Sequence, residues 1–434
     1  MIARLRAFFE KLREPLYANA YALVANQVIS AGLGLIYWPL ASHLYSPETY
    51  GASFAVISTL LLISGIAQVG LGAGMNRFVP RAGDGTRRLI LTAYGVVVAV
   101  SVVLSLAFVA LGGTLGLQST LGSGPLVWLW VVLAAVLWSI FRLQDAVLIG
   151  LRQAKWVLIE NTLYNLAKIG LLFLCAGWLA TGGIVGSYFL PTPLTILLVT
   201  SLIFGIYTRA GRLEPAAAGS TPPTVREIVS TTSGDYVGSL VAEAASRLLP
   251  VLVVATLGAV ATANFANPWL VATMLTLVAG SMTDSFTTEA ARDRANIGLY
   301  SREIIFHMAL MVVPASVVLG LGAPLIIGIW GEQYVSETTT VLLRWLCLAS
   351  PLIVFNNWYL AYARVLGHIR MILWTQALGA GILLGVSWLL LGRMGITGVG
   401  IAWIVSQIVV AVVGASDSRG VLTSATAQSG GVSA

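Results

Sequence analysis

Twelve stretches of about 20 mostly apolar residues, the length at which a helix crosses a bilayer, follow one another along this chain of 434 residues. They lie near 19–42, 50–72, 89–112, 126–149, 161–180, 184–207, 229–256, 260–284, 303–330, 341–363, 371–391 and 396–414. The residues are 58% hydrophobic and only 9% charged, against roughly 25% charged in a soluble domain. In lipid every backbone polar group must pair within the protein, and runs this long do so as helices. The expected fold is therefore all-α: a polytopic membrane protein of twelve transmembrane helices.

Basic residues set the orientation. With the N-terminus inside, nineteen of the 24 Lys and Arg fall on cytoplasmic segments and one, Arg393, on an outward connection. Arg142, Lys168, Arg247 and Arg344 fall within spans. Short cytoplasmic loops retain Lys and Arg, so both termini are expected in the cytoplasm. The net charge of +7 follows from that bias and gives no reason to expect nucleic acid as a partner. Residues 1–18 set Leu5, Phe8, Phe9 and Leu12 against Arg4, Arg6, Lys11 and Arg13 at helical spacing, the pattern of a helix lying in the headgroup region. Residues 415–434 are small and polar, the composition of a disordered tail.

The spans repeat. GIVG at 183–186 and GITG at 395–398 are offset by 212, and LRQAKW at 151–156 lies on LGHIRM at 366–371 with an offset of 215. The first spans of the two halves begin near 19 and 229. This predicts two pseudo-symmetric six-helix lobes, 19–207 and 229–414, joined by a basic, proline-containing cytoplasmic linker at 208–228. Six is even, so the halves share one orientation and an axis along the membrane normal. Two such bundles can rock about a central cavity.

Charged residues at bilayer depth cost about 2.5–3.5 kcal/mol on insertion scales, so each raises a functional question. In the seventh span Asp235, Ser239, Glu243 and Arg247 recur every four residues and share one slowly drifting face. Glu243 and Arg247 can be a structural pair or line a cavity, and Pro250 frees the carbonyl of Ser246 beside them. The fifth span carries Glu160, Tyr164 and Lys168 at the same spacing, with Asn161 and Asn165 alongside. Lys168 is too deep to snorkel easily; it either faces a ligand or pairs with an acidic neighbour. Arg142 and Asp145 suit a structural pair, and Arg344 suits snorkelling at the outer end of the tenth span. Deep cations would attract an anionic head group, and Arg matches a diphosphate through bidentate hydrogen bonds. Asn26, Asn161, Tyr164 and Asn165 could meet a sugar. Asp235, Glu243 and Asp145 are candidates for ion coupling.

Nothing in the chain suggests an enzyme. Its outward loops are short, His43, His307 and His368 are isolated from metal-ligand spacing, and no Gly-rich phosphate loop occurs. No metal or cofactor is expected. Cys175 and Cys347 both lie in spans.

The segment HLYSPETYGASFAVISTLLLISGIAQVGLGAGMNRFVPR, 43–81, resembles the polysaccharide transporters of the multidrug/oligosaccharidyl-lipid/polysaccharide (MOP) exporter superfamily. The residues that carry the likeness are Leu44, Pro47, Glu48, Tyr50 and Gly51, then Gly70, Gly72, Arg77 and Phe78. IWGEQY at 329–334 is similar to that family's Phe-Gly-x-x-Tyr turn, with Trp330 replacing Phe. Ser246-Arg247-Leu248-Leu249 is similar to its Asp-Arg-Leu-Leu, with Ser replacing Asp. The resemblance implies a MATE-like fold that flips polyprenyl-diphosphate-linked oligosaccharide across a bacterial plasma membrane, with Arg77 and Arg247 as substrate contacts. The implied partners are that lipid-linked substrate, membrane lipids, and glycan polymerase or assembly proteins. Two other readings stay open: a drug or organic-cation antiporter of the same superfamily, and a non-transporting scaffold for glycan assembly.

Overall fold

The computed structural model describes residues 15–112, 124–178, 182–208 and 224–430, with the side chains of 15–17, 111–112, 178, 230, 232–235, 284–285 and 419–430 left undescribed. The interfacial helix expected at 1–18 and the linker at 208–228 thus fall mostly outside the described residues, as does the side chain of Asp235.

Among the described residues eleven helices are long and apolar enough to cross a membrane, and a bent pair makes a twelfth span. The chain separates into two compact units, Met1–Tyr236 and Val237–Ala434. The boundary falls inside a helix rather than in the polar linker.

The first unit contains α1 (Pro15–Leu44), α2 (Pro47–Ala67), α3 (Leu71–Phe78), α4 (Thr86–Gly112), α5 (Pro125–Gly150), α6 (Ala154–Trp178), α7 (Gly183–Phe189) and α8 (Thr192–Leu202). α1 packs along α6, while α5 is flanked by α2, α3, α4 and α8. Helix α9 (Val225–Leu257) begins here: Ile228 is fully buried in this unit's apolar core, and the Tyr236 hydroxyl donates to the carbonyl of Gly65. It runs on through Pro250 without interruption.

The second unit continues with α10 (Ala259–Arg292), α11 (Ile297–Leu321), α12 (Ala323–Gly328), α13 (Glu337–Leu348), α14 (Ser350–Leu366), α15 (Ile369–Met394) and α16 (Thr397–Gly430). α15 packs along α16, and α10 touches α11, α13 and α14. Close approach is licensed by glycine. A Cβ on Gly398 would stand 2.7 Å from Leu390 Cβ, and one on Gly414 would stand 2.8 Å from the Tyr359 ring. In the first unit a Cβ on Gly150 would meet the Met75 carbonyl oxygen at 2.7 Å.

Matched polar clamps express the repeat. Ser101 donates to Ser139 at 2.5 Å, and Ser316 and Ser350 share a bond of 2.6 Å, at positions offset by 215 and 211. The Gln144 amide donates to Ile196 O and Thr200 Oγ1, while that of Asn356 donates to the backbone and side-chain oxygens of Gln407. From Gln144 to Asn356 the offset is 212. Buried polar groups are almost always paired, so each clamp fixes which helix faces which.

Two expectations change. The second span is not continuous to 72: Val69 (φ 49°) and Gly70 (φ 79°) are both left-handed and break it, with the Gln68 amide anchored on the Ser139 carbonyl at 2.9 Å. The tenth span bends by 44° at Ala349, between α13 and α14. Helix α16 runs past 414, to Gly430.

The motif carrying the family resemblance has a structural reading. Ser46 caps α2 by accepting from Thr49 N at 3.3 Å, Pro47 opens the helix and Glu48 stands in its first turn, where an acid favours the helix dipole. Tyr50 is fully buried, edge-on to Trp38. Large apolar side chains on the outside, such as Leu126 at 79% and Leu325 at 82% exposed, form the surface a bilayer would cover.

Candidate functional site

Lys168 is the deepest cation of the first unit, in the middle of α6 and only 4% exposed. Its ammonium lies 4.6 Å from the ring centre of Tyr37, 4.7 Å from Tyr188 and 5.3 Å from Tyr164. Each such contact is worth about 0.5–2 kcal/mol, most where water is excluded. Three rings therefore offset much of the cost of burying the charge. Among the described residues an aromatic cage takes the place of the acidic partner considered from the sequence.

Two of the three rings are held in place by their hydroxyls. Tyr37 donates to the Ile184 carbonyl or shares a 2.9 Å bond with Ser187. Tyr164 donates to the Tyr188 carbonyl at 2.7 Å. Trp138 backs the cage, 5.4 Å from the rings of both Tyr164 and Tyr188. Helices α1, α6 and α7 thus each contribute one tyrosine.

The neighbouring amides are engaged. Asn165 is buried and donates to the Asn161 carbonyl at 2.7 Å. Asn161 donates to both oxygens of Asp145 at 3.2 Å and to the Val157 carbonyl at 3.0 Å. Arg142 acts on Asp145 electrostatically from one helical turn earlier.

In the second unit Arg247 and Glu243 form a pair at 3.9 Å, with side chains 39% and 31% exposed. A ligand could reach this guanidinium without dismantling a cage. Arg77 lies exposed on α3 with its guanidinium 5.6 Å from the Phe78 ring centre. Arg344 donates from Nε to the Gly320 carbonyl at 3.3 Å, which ties it to the end of α11.

The structure thus gathers Lys168 and Tyr164 into one cluster, with Asn165 engaged on the same helix. Glu243 and Arg247 stay together in the other unit, and Arg77 lies on an element of its own. Sequence spacing missed Tyr37 and Tyr188, because no periodicity links tyrosines on different helices. Their only signal is an aromatic in an apolar span.

The arrangement of helices has solved counterparts. It aligns with the inward-facing conformation of a multidrug resistance MATE family transporter of the MOP superfamily, with a TM-score of 0.72 and 17% identity over 93% of this chain and 98% of that one. It also aligns with a MOP superfamily transporter from Pyrococcus furiosus, described as having a binding pocket of reverse polarity that suggests a different function. There the TM-score is 0.64 and the identity 17%, over 95% and 97% of the two chains. The fold is that of MOP superfamily transporters, and the protein is a multi-pass membrane protein. Residues 16–290 match the family described as polysaccharide biosynthesis protein, and the chain belongs to that family. No curated protein matches its sequence.

Proposed function

We propose that this protein flips polyprenyl-diphosphate-linked oligosaccharide from the inner to the outer leaflet of a bacterial plasma membrane, for O-antigen or related lipopolysaccharide assembly. The observation that carries the reading is the family match over residues 16–290, in a chain whose first unit buries an unneutralised lysine. The mechanism is alternating access of two lobes, with both termini cytoplasmic. The lipid stays in the bilayer while its head group passes cationic side chains, which replace the hydration the diphosphate loses.

Arg247 is the first choice for direct contact, since its fork suits a diphosphate and Glu243 holds it in place. Arg77 is the second. Lys168 acts from within its cage, through its positive field, and Tyr164 and Asn165 serve by holding that field in place. Asp235, Glu243 and Asp145 are the carboxylates proposed for ion coupling. Membrane lipids and glycan polymerase or assembly proteins are the proposed partners.

The test is leaflet transfer of a fluorescent polyprenyl-diphosphate oligosaccharide in liposomes holding the purified protein. Arg247→Ala and Lys168→Ala should each slow transfer by about tenfold, the equivalent of about 1.4 kcal/mol. Unchanged transfer in both removes the site assignment. Transfer no faster than in empty liposomes, with folded protein, supports the scaffold instead. The likeness to multidrug MATE transporters favours a second reading, organic-cation antiport, which dye efflux from the same liposomes would reveal.

A further inference from the structure

The turn between α5 and α6 holds an arginine where the backbone favours glycine. Arg152 sits at φ 57°, in the left-handed region that a helix end normally fills with Gly. Its amide donates to the Ile149 carbonyl and that of Gln153 to the Leu148 carbonyl at 2.8 Å, so this strained residue closes the helix. The turn is fixed on two further sides. Asn19 Oδ1 of α1 accepts from the Ala154 amide at 2.9 Å, and Gly150 lies against Met75 and Val79 too closely for any Cβ. A glycine at 152 would keep these bonds without the strain, so the reason for arginine lies in its side chain. That side chain is exposed.

Arg152 belongs to a cationic surface. The ends of α4, α5, α6 and α9 and the π-helical turn Ile203–Tyr207 share one apolar cluster, through Leu89, Leu148, Val157, Ile203 and Ile228. At this end stand Arg81, Arg87, Arg88, Arg152, Lys155 and Arg226, all exposed, against two acids, Asp84 and Glu227. Among the described residues none of these six cations is in an ion pair. Arg87, Arg88, Lys155 and Arg226 fall in first helical turns, where the helix dipole repels a cation and draws an anion. α4 and α6 carry no acid in those turns to offset the repulsion. Retention of basic residues in short loops would load both units alike. At the matching turns of the second unit, α10–α11 and α14–α15, five arginines meet four acids among the described side chains, Glu289, Asp293, Glu303 and Asp417. Arg292 and Arg364 there close their helices, where the dipole favours them, and Arg294 donates to the Val365 carbonyl at 2.9 Å. The uncompensated charge is a feature of the first unit.

Aromatic side chains set the depth of this surface. Trp156 Nε1 donates to the Tyr207 hydroxyl at 2.8 Å, and the Arg87 guanidinium lies 5.9 Å from the Phe204 ring centre. Trp and Tyr gather at headgroup level, and cations beside them meet lipid phosphates before bulk solution. We infer that this end of the first unit binds anionic phospholipid headgroups, with Arg152, kept in its turn at a cost in backbone strain, as one of the contacts. Arg87, Arg88 and Lys155 add charge, and the first turns of α4 and α6 add amide donors. The inference does not depend on which passenger the chain carries, and binding rather than leaflet transfer tests it.

The full chain, purified in detergent, is offered phosphatidylglycerol or phosphatidylcholine with the same acyl chains. Native mass spectrometry counts the bound lipids, and thermal unfolding is followed in parallel. Phosphatidylglycerol should bind saturably and more tightly than phosphatidylcholine, and less tightly as salt is raised. Arg152→Gly should weaken it about fivefold, the equivalent of about 1 kcal/mol for one basic contact, while the lipid-free thermal midpoint holds or rises because the strain is gone. Arg87→Gln combined with Arg88→Gln should weaken it further. Arg302→Gln combined with Arg370→Gln, in the second unit, should leave it unchanged. Equal affinity for the two lipids overturns the site, as does native-like binding by both first-unit variants or an equal loss in the second-unit pair. Displacement of phosphatidylglycerol by inorganic phosphate at equal concentration marks a site for free phosphate and overturns the lipid assignment.

Discussion

The two halves share a scaffold and differ in what they bury. Ser101–Ser139 has its counterpart in Ser316–Ser350, and the Gln144 clamp in that of Asn356. Asp145, however, corresponds to Asn357 at the offset of 212, and at the offset of 215 that aligns LRQAKW with LGHIRM Glu160 corresponds to Thr375 and Lys168 to Leu383. Leu383 is buried and apolar, Thr375 donates back to the Met371 carbonyl at 2.7 Å, and Asn357 turns its amide onto the Ile353 carbonyl at 2.8 Å. The repeat preserves the groups that align helices, while the chemistry sits in one copy. Duplicated architecture therefore does not mean duplicated sites.

The sharpest challenge is to move the lysine. Leu383→Lys places a cation at the matching buried position without the tyrosine cage, at a cost of about 2.5–3.5 kcal/mol. Folded yield and thermal midpoint should drop markedly, and a variant as stable as native would break the comparison. Lys168→Leu should act in the opposite sense on stability, since it removes a buried charge whose desolvation costs several kcal/mol. Its thermal midpoint should hold or rise while leaflet transfer slows by about tenfold, a divergence that a purely structural lysine would not produce.

Smaller effects should appear in both halves. Gly150→Ala and Gly398→Ala each push a methyl against backbone or Cβ atoms at 2.7 Å, and overpacking of this kind costs about 1–3 kcal/mol. Ser139→Ala and Ser350→Ala should each lose about 1 kcal/mol, read as paired shifts in thermal unfolding. A one-sided result would show that the clamps are not equivalent. Least affected should be the stability of Arg247→Ala, whose half-exposed pair with Glu243 is worth about 0–1 kcal/mol.

Bilayer-length apolar runs, loop charges and the offset near 212 made the class of fold and its duplication legible, because these are properties of single segments. Spacing also brought Glu160, Tyr164 and Lys168 onto one helix. What surrounds them was hidden: Tyr37 and Tyr188 come from helices distant in sequence, and an ammonium held by ring faces leaves no charge pattern. The break after Ala67 was obscured because VGLGAG is as apolar as the helix it interrupts.

That break leaves Val69 in a conformation (φ 49°) that an L-residue with a branched Cβ enters at a cost of about 1–2 kcal/mol. Local preference therefore pulls the second span straight, and only its surroundings keep it bent. If the Gln68 anchor on Ser139 were released, the corner would relax by lengthening the helix by a turn and swinging Arg77 with it, so a spring is already wound beside one of the family's motif arginines.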